Sequence, residues 1–532
     1  MLDYLRKDFK LINSLIKLVA FLLILNQNSC SPKRLGDTVI IAGAGKVKTI
    51  DPAQATTLRS LQLINALGDT LYGFDEKGNL TPQLASDLPI VKDNGLTIDI
   101  PLKKNIYFHD GTVFDSYAMR FSLERFMRIG TDSYLIKERV RSIESPNKFL
   151  IRLHLKRKSS SLIKLLSSVN LSPVSPKAYK NNQNDYINKN FIGTGPYKLI
   201  SFSPDKQRIE PFSKYWGEKP KNKGIDYVSF NSSSSLFGAM RTGEVDILLS
   251  NSLEDIQILA LNRLAQAGKL KETKGPAIEI GYITLKTNSE PFNKTSIREA
   301  IAYSINRNLI TQKVSFGLRD PLRSIIPIAL KKEKVFTWPG HDPMKTRSLL
   351  KKEGYCKNKK LIIPFTYRSN VPADKLLALT WKEQLKNELD DCLELELNGI
   401  ESTTVYEQLS KGSYPAVMLD WTGQFPDPEA YIAPLLRCNL LVEKVCKEGE
   451  AVISGSFWGD PDIQVGLNES ESLTGEKRLK KILEIEELAA KGYPYIPIWI
   501  VKPRAWSQLN IDNMKFNKRG QIDLKSIQRD NK

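Results

Sequence analysis

What most constrains this 532-residue chain is the alternation of strand-type and helix-type patterns between His341 and Pro428. Asp342 is placed to cap a helix whose first residue is Pro343, and Gly354 stands where that helix should end. Leu361 to Tyr367 reads as a buried strand. A second amphipathic helix begins after Pro372, with Leu377, Trp381 and Leu385 on one face. Strict alternation at Leu393, Leu395 and Leu397 marks another strand, a helix is expected over 403–411, and Ala416 to Leu419 is a further apolar strand. Strand, helix, strand, helix, strand is the order of a parallel, right-handed α/β arrangement. In open parallel sheets, ligands bind beyond the carboxyl ends of the strands. Two loops leave such ends here, Arg368 to Pro372 and Trp421 to Pro428, and both should lie on one edge of the sheet.

A chain of this length exceeds what one core supports, so two or three large domains are expected. No low-complexity linker longer than a few residues divides it and no internal repeat is present, so its lobes must be joined by short crossings. With 41% hydrophobic and 26% charged residues it is an ordinary globular chain. The formal charge is +19, but the basic runs at 331–334, 357–360 and 478–481 are short, scattered and free of interleaved aromatics. That pattern fits a solvated basic surface and no nucleic-acid partner.

Arg6, Lys7 and Lys10 precede an uninterrupted apolar run, Leu18 to Leu25, which is too short to span a bilayer but fits the core of a signal peptide. Cys30 follows Ser29 just past that run, as in a lipobox whose thiol is acylated after cleavage. Gln27 departs from the pattern, and an uncleaved anchor helix is the alternative. Residues 1–30 are therefore expected to be an export signal, and the body to work outside the cytoplasm, lipid-anchored through Cys30. Four cysteines remain, an even number that allows three pairings in an oxidising compartment, with free buried thiols as the alternative. Cys356 and Cys392 each sit just before a parallel strand, hence on one sheet edge, where strands about 4.8 Å apart fall within disulfide reach. Cys438 and Cys446 are close enough in sequence to staple a loop. The expected pairs are Cys356–Cys392 and Cys438–Cys446. With no CxxC pair or Cys/His cluster, no metal is expected.

Little in the chain supports catalysis. The three histidines, His109, His154 and His341, form no HExxH pair, and no GxSxG elbow occurs. Gly43-Ala44-Gly45-Lys46 lacks the second spaced glycine of a phosphate loop and reads as a strand running into a turn. His109 and Asp110 are adjacent, so on a strand they would point to opposite faces; Asp110-Gly111 fits a turn before a helix over 115–127. Gly193 to Tyr197 reads as a strand-entry turn, because Pro196 lacks an N–H. No catalytic residue and no cofactor is expected.

A series of segments is more specific than any of these motifs alone. Near the start come Asp51-Pro52, Leu71-Tyr72-Gly73-Phe74-Asp75, Gly78 to Ala85 and Asp93 to Thr97. Phe108 to Thr112, Phe121-Ser122-Leu123-Glu124-Arg125, Gly193 to Tyr197, Tyr215-Trp216-Gly217 and Thr242 to Asp246 follow. Phe292 to Arg307, with a capping-box start at Ser296 and Glu299, Trp421 to Pro428 and Pro494 to Pro497 complete it. In this order they resemble the peptide/nickel class of extracytoplasmic solute-binding proteins, family 5. The resemblance implies a two-lobed periplasmic-binding-protein-like fold of type II, in its large three-domain variant, closing on ligand by a hinge. Lobe one would comprise residues 31–278 and 497–532, with an extra subdomain at about 80–190. Lobe two would comprise 279–496. It further implies a monomer that binds peptides and hands them to the permease of an ABC importer. A metal chelate or other small organic anion is the alternative ligand, and a surface hydrolase or chaperone on the same fold the alternative of another class.

By the same resemblance, Arg368 falls where dipeptide-binding relatives carry an arginine for the peptide carboxylate, a pairing that a guanidinium makes with two parallel hydrogen bonds. Trp421, Thr422, Gly423 and Gln424 form the opposing loop. Relatives that hold an α-amino group carry an aspartate where this chain has Gln424. A neutral or modified ligand end is therefore expected at Gln424, with Asp427 capping the helix that follows.

Overall fold

The structure, a computed structural model, describes residues 38–530 apart from 45, 76–77, 181–188 and 332–336. Cys30, Gln27 and the apolar run before them lie outside the described residues.

Three sheets organise the described chain. The first has seven strands and takes in Val39–Ala44, Tyr197–Phe202, Lys206–Pro211, Ile225–Phe230, Ile247–Leu249 and Lys271–Lys274. Its remaining strand, Arg504–Ser507, comes from the far end of the chain and lies between Ile247–Leu249 and Lys271–Lys274. A four-stranded antiparallel sheet holds Ile90–Lys92, Thr97–Pro101, Leu150–Leu155 and Val140–Asn147. The helix Ser116–Ile129 accompanies it, with Asp115 accepting from Ala118 N as its cap. The third sheet has six strands in the order Arg319–Pro321, Tyr495–Val501, Glu279–Leu285, Ala416–Thr422, Leu361–Arg368, Leu393–Ile400.

The expected α/β unit is present in that third sheet. Leu361–Arg368 pairs in parallel with Leu393–Ile400 along its whole length, and with Ala416–Thr422 at Phe365 and Thr366. The sheet as a whole is mixed, however. Ala416–Thr422 also pairs antiparallel with Glu279–Leu285, which is followed by Tyr495–Val501, so the parallel unit is only one half of it. Asp342 caps the helix Pro343–Lys352 and Pro372 opens the helix Pro372–Leu389. On the latter, Leu377, Trp381 and Leu385 are buried. Trp381 meets Phe365 edge-to-face at 5.3 Å. Each such side chain contributes roughly 1.5–3 kcal/mol by leaving water. One apolar cluster joins the four-stranded sheet (Ile98, Ile151, Leu153) to the six-stranded one (Ile283, Phe365, Leu395), so the two regions share a core.

Both expected disulfides are formed, Cys356–Cys392 and Cys438–Cys446. The expected capping box at Ser296 and Glu299 is absent. The helix there starts two residues earlier, at Thr295 with Lys294 in the cap position, and the Ser296 hydroxyl donates instead to Glu353 Oε1 at 2.5 Å. His109 and Asp110 diverge as expected. His109 Nε2 lies 3.1 Å from Gly195 O, whereas Asp110 accepts from Ser175 and Thr112, each at 2.6 Å.

Candidate ligand-binding site

The carboxyl ends of two parallel strands bring Arg368 and Asp420 together, because Thr366 is in register with Val417. Arg368 is the last residue of its strand rather than part of a loop, and it is buried. Its Nε donates to Asp374 Oδ2 at 2.7 Å and its Nη2 to Asp374 Oδ1 at 3.2 Å. Nη2 also lies 2.7 Å from Asp420 Oδ2, and Nη1 donates to the Tyr406 hydroxyl at 2.9 Å. Asp374 sits in the first turn of the helix Pro372–Leu389, where the helix dipole favours negative charge. Glu279 arrives beside Asp420 on the neighbouring antiparallel strand, opposite Thr422. Burial, reinforced by Asp420, pushes the Glu279 carboxyl up to about 7. Burial likewise raises Asp374 to about 6 in spite of Arg368. One guanidinium thus faces three carboxyl groups. The bidentate face expected for a ligand carboxylate is already taken by the protein's own aspartates.

The strand Ala416–Thr422 runs three residues past the expected end at Leu419, so Trp421 and Thr422 lie in the sheet. Its pairing with Leu361–Arg368 stops at Val417, whereas pairing with Glu279–Leu285 continues to Thr422. By the same register the neighbour ends at Arg368 beside Leu419, and Met418 and Leu419 are buried, so only Asp420 to Thr422 carry a strand edge that it does not reach. Trp421 Nε1 donates to Ala430 O at 2.8 Å, turning the chain back on itself. Gly423 is required at that turn, since a Cβ there would lie 2.6 Å from the Tyr431 ring.

Past the turn, side chains from the two regions of the chain interlock. Gln424 donates to Asp132 Oδ2 at 2.6 Å. Asp427 is not the cap expected of it: Pro428 holds that position before the helix Glu429–Leu436, and Asp427, one residue earlier, accepts from Glu429 N at 3.0 Å and is a fully buried ion-pair centre. It takes Arg478 at 2.8 and 2.9 Å and Lys164 at 2.8 Å. Arg139 reaches Glu429 at 2.7 Å and Arg437 reaches Glu471 at 2.7 Å. Arg319 is paired with Asp255 on the other side of the contact. Between Trp421 and this network lies a small cavity of about 20 Å³, lined among others by Tyr134, Glu138, Arg139, Gln424 and Glu450. Sequence reasoning missed Asp132, Glu138, Glu279, Asp420 and Glu450. Only Asp420 carried a signal, as the neighbour of Trp421 on the same apolar strand. A larger groove of about 640 Å³ runs between Asp69, Tyr215, Lys274 and Lys525 and contains none of the expected site residues. Among the described residues, no three His, Cys, Asp or Glu side chains are grouped to hold a metal ion, and no helix is long and apolar enough to cross a membrane.

The family model for bacterial extracellular solute-binding proteins, family 5 Middle, matches residues 79–440. The chain belongs to that family. This family 5 protein is 27% identical to the glutathione-binding protein GsiB of Salmonella paratyphi A over 329 residues, which cover 61% of this chain and 63% of that one. It thus spans less than two thirds of the curated relatives it matches. Among solved structures, its fold is similar to that of a dipeptide-binding protein from a Pseudoalteromonas species in complex with Met-Leu. That match has a TM-score of 0.78 at 20% identity and covers 92% of this chain and 100% of the other. NikA from Brucella suis in complex with Fe(III)-EDTA matches with a TM-score of 0.79 at 18% identity, covering 92% and 99%. The fold is that of two-lobed binding proteins, and each of these relatives is named for a bound ligand or in complex with one.

Proposed function

We propose that this family 5 protein is the extracytoplasmic receptor of a peptide-type ABC importer, closing two lobes on a peptide and delivering it to the membrane permease. Lobe one is taken as 31–278 with the tail after Val501, including the subdomain at about 80–190, and lobe two as 279–501; the expected boundary between 496 and 497 would divide the strand Tyr495–Val501, which lies whole in the six-stranded sheet. Two short passages between sheets support a hinge: the chain leaves the seven-stranded sheet after Lys274 to enter Glu279–Leu285, and returns between Val501 and Arg504.

The observation that carries the peptide reading is the uncovered edge of Asp420 to Thr422, at the carboxyl end of the sheet and beside the contact between lobes. An extended peptide can add to such an edge through its main chain and leave its side chains to wet pockets. In this reading Trp421, Thr422, Gly423 and Gln424 line the ligand. Arg368 acts by fixing Asp420 toward it, and does not grip a carboxylate itself. Lipid anchoring through Cys30 and a monomeric state complete the proposal.

Denaturing protein purified from its native membrane and identifying the released molecules by mass spectrometry tests this reading. Intact short peptides are expected. A metal chelate or a non-peptide organic anion would replace the peptide reading, and a chemically altered ligand would point to the hydrolase alternative.

A further inference from the structure

We infer that the end of the seven-stranded sheet at which the chain enters it is a basic face that docks on an anionic lipid bilayer. The inference does not depend on what the cleft binds. It rests on the reading of Cys30 above only for the tether that brings this face to the membrane.

Strand register collects the parts of the face. Val39–Ala44 and Ile225–Phe230 run parallel and start side by side, and Ile247–Leu249 runs parallel to them on the other flank. Their outer neighbours are antiparallel, so Tyr197 and Lys271 start at that same end. The segments 212–224, 243–246 and 267–270, which precede three of these starts, therefore gather there. The chain enters at the same place: Val39 N donates to Gly224 O at 3.0 Å. Cys30 precedes Thr38 by eight positions, a reach of at most roughly 28 Å. An acyl chain on Cys30 keeps this end within that distance of the bilayer.

The segment nearest the entry is Gly217-Glu218-Lys219-Pro220-Lys221-Asn222-Lys223-Gly224. Its side chains alternate. Asn222 is buried and donates to Leu524 O and Ile527 O, each at 3.0 Å, while accepting from the Tyr197 hydroxyl at 3.0 Å. Lys219, Lys221 and Lys223 are exposed on the other side. Lys221 N donates to Lys525 O at 2.9 Å, which sets a fourth lysine beside them. Among the described residues neither Lys219 nor Lys221 is joined to a carboxylate. Nearby acids are mostly engaged: Asp246 with Arg529, Asp512 with Lys271 at 2.5 Å, and Asp226 with Arg208 at 3.2 Å. Glu218 is the one carboxylate on the lysine loop itself; Glu244 and Asp530 are exposed on the flanks, where Arg241 and Lys269 balance them.

A row of lysines held outward by a buried asparagine, beside the point where a membrane tether begins, matches an anionic surface in charge and place. Each such lysine strengthens binding to anionic lipid by roughly fivefold, and a basic patch acts with a lipid chain as a second membrane signal. Arg368 and Trp421 to Gln424 belong to the six-stranded sheet and not to this face, so docking leaves them free.

The test reconstitutes the full-length protein, purified in detergent, with vesicles of phosphatidylcholine alone or of equal parts phosphatidylcholine and phosphatidylglycerol. Vesicles are floated, treated with a water-soluble amine reagent and mapped by mass spectrometry. On anionic vesicles Lys219 and Lys221 should label about fivefold less than on neutral ones. That difference should vanish at about 1 M salt, where screening acts within about 3 Å. Lys382 and Lys386, exposed on the helix Pro372–Leu389, should label alike throughout. In Lys219→Gln with Lys221→Gln, two exposed changes that spare the fold, the difference should also be lost at Lys223. Flotation with both vesicle types and equal labelling of Lys219 and Lys221 overturns the docking face and leaves the anchor standing. Flotation with anionic vesicles alone upholds the face and removes the anchor, and flotation with neither overturns both. Protection that survives high salt, or persists at Lys223 in the double variant, also overturns the face.

Discussion

Replacing Arg368 by alanine separates two accounts of that residue. If it grips a ligand carboxylate, Arg368→Ala should abolish binding and leave the fold intact. The geometry predicts a folding defect instead, because the change leaves Asp374, which is 1% exposed, without its two hydrogen bonds, and Asp420 without its ion pair. Breaking a buried pair by removing one partner costs about 3–5 kcal/mol. The cost should depend on pH. Asp374 titrates at about 6 in the folded protein against 3.8 as a free side chain. A carboxyl raised on folding makes the native state bind protons more readily, so its burden is absent below 3.8 and complete above about 6. Even in wild type that shift is a burden of about 3 kcal/mol at pH 7, at 1.36 kcal/mol per unit. Without Arg368 the folded pKa rises further, so near pH 5 the variant's Asp374 is neutral and needs no counter-charge. Urea unfolding at pH 7.5 should place Arg368→Ala about 3–5 kcal/mol below wild type, and at pH 5 the gap should narrow by at least about 1 kcal/mol. Equal stability of the two proteins at both pH values, with binding alone lost, would refute the reasoning and restore the carboxylate-gripping role.

Two further outcomes follow from the crosslinks and the export signal. Reducing or removing Cys356–Cys392, with a sequence separation of 36, should cost about 4 kcal/mol in the chain-entropy treatment, against about 2.5 for Cys438–Cys446, separated by 8; single double-serine variants measured by urea unfolding check the order, which a larger loss at Cys438–Cys446 would reverse. Cys30→Ser should leave the precursor unprocessed or release the protein from the membrane fraction, and the same soluble mature form in both variants would rule lipidation out.

The α/β unit at 341–428 was legible because its signals are local: a proline at the start of the two longer helices, alternation in the strands, and a glycine after Lys352. The antiparallel half of that sheet was not, since Glu279–Leu285 and Tyr495–Val501 lie far away in sequence and nothing in either names the other as partner. The disulfide Cys356–Cys392 was within reach of reasoning because the parallel strands fix where both cysteines must fall. Charge balance at the site was not. Gln424 points to a neutral ligand end, but nothing near it in sequence names its partner Asp132 or the pocket residue Glu138, which come from almost 300 residues upstream. Arg368 looked free on its strand end because Asp374 and Asp420 become its partners only when a helix start and a second strand fold against it. Residue type told what each group could do, and tertiary pairing decided what it was already doing.

Hydrogen exchange read by mass spectrometry, with and without a pool of synthetic tripeptides, tests the central claim most directly. Amides of Asp420 to Gln424 should gain protection on binding, while the groove between Asp69 and Lys525 exchanges unchanged. Protection at that groove, with none at 420–424, would contradict the claim.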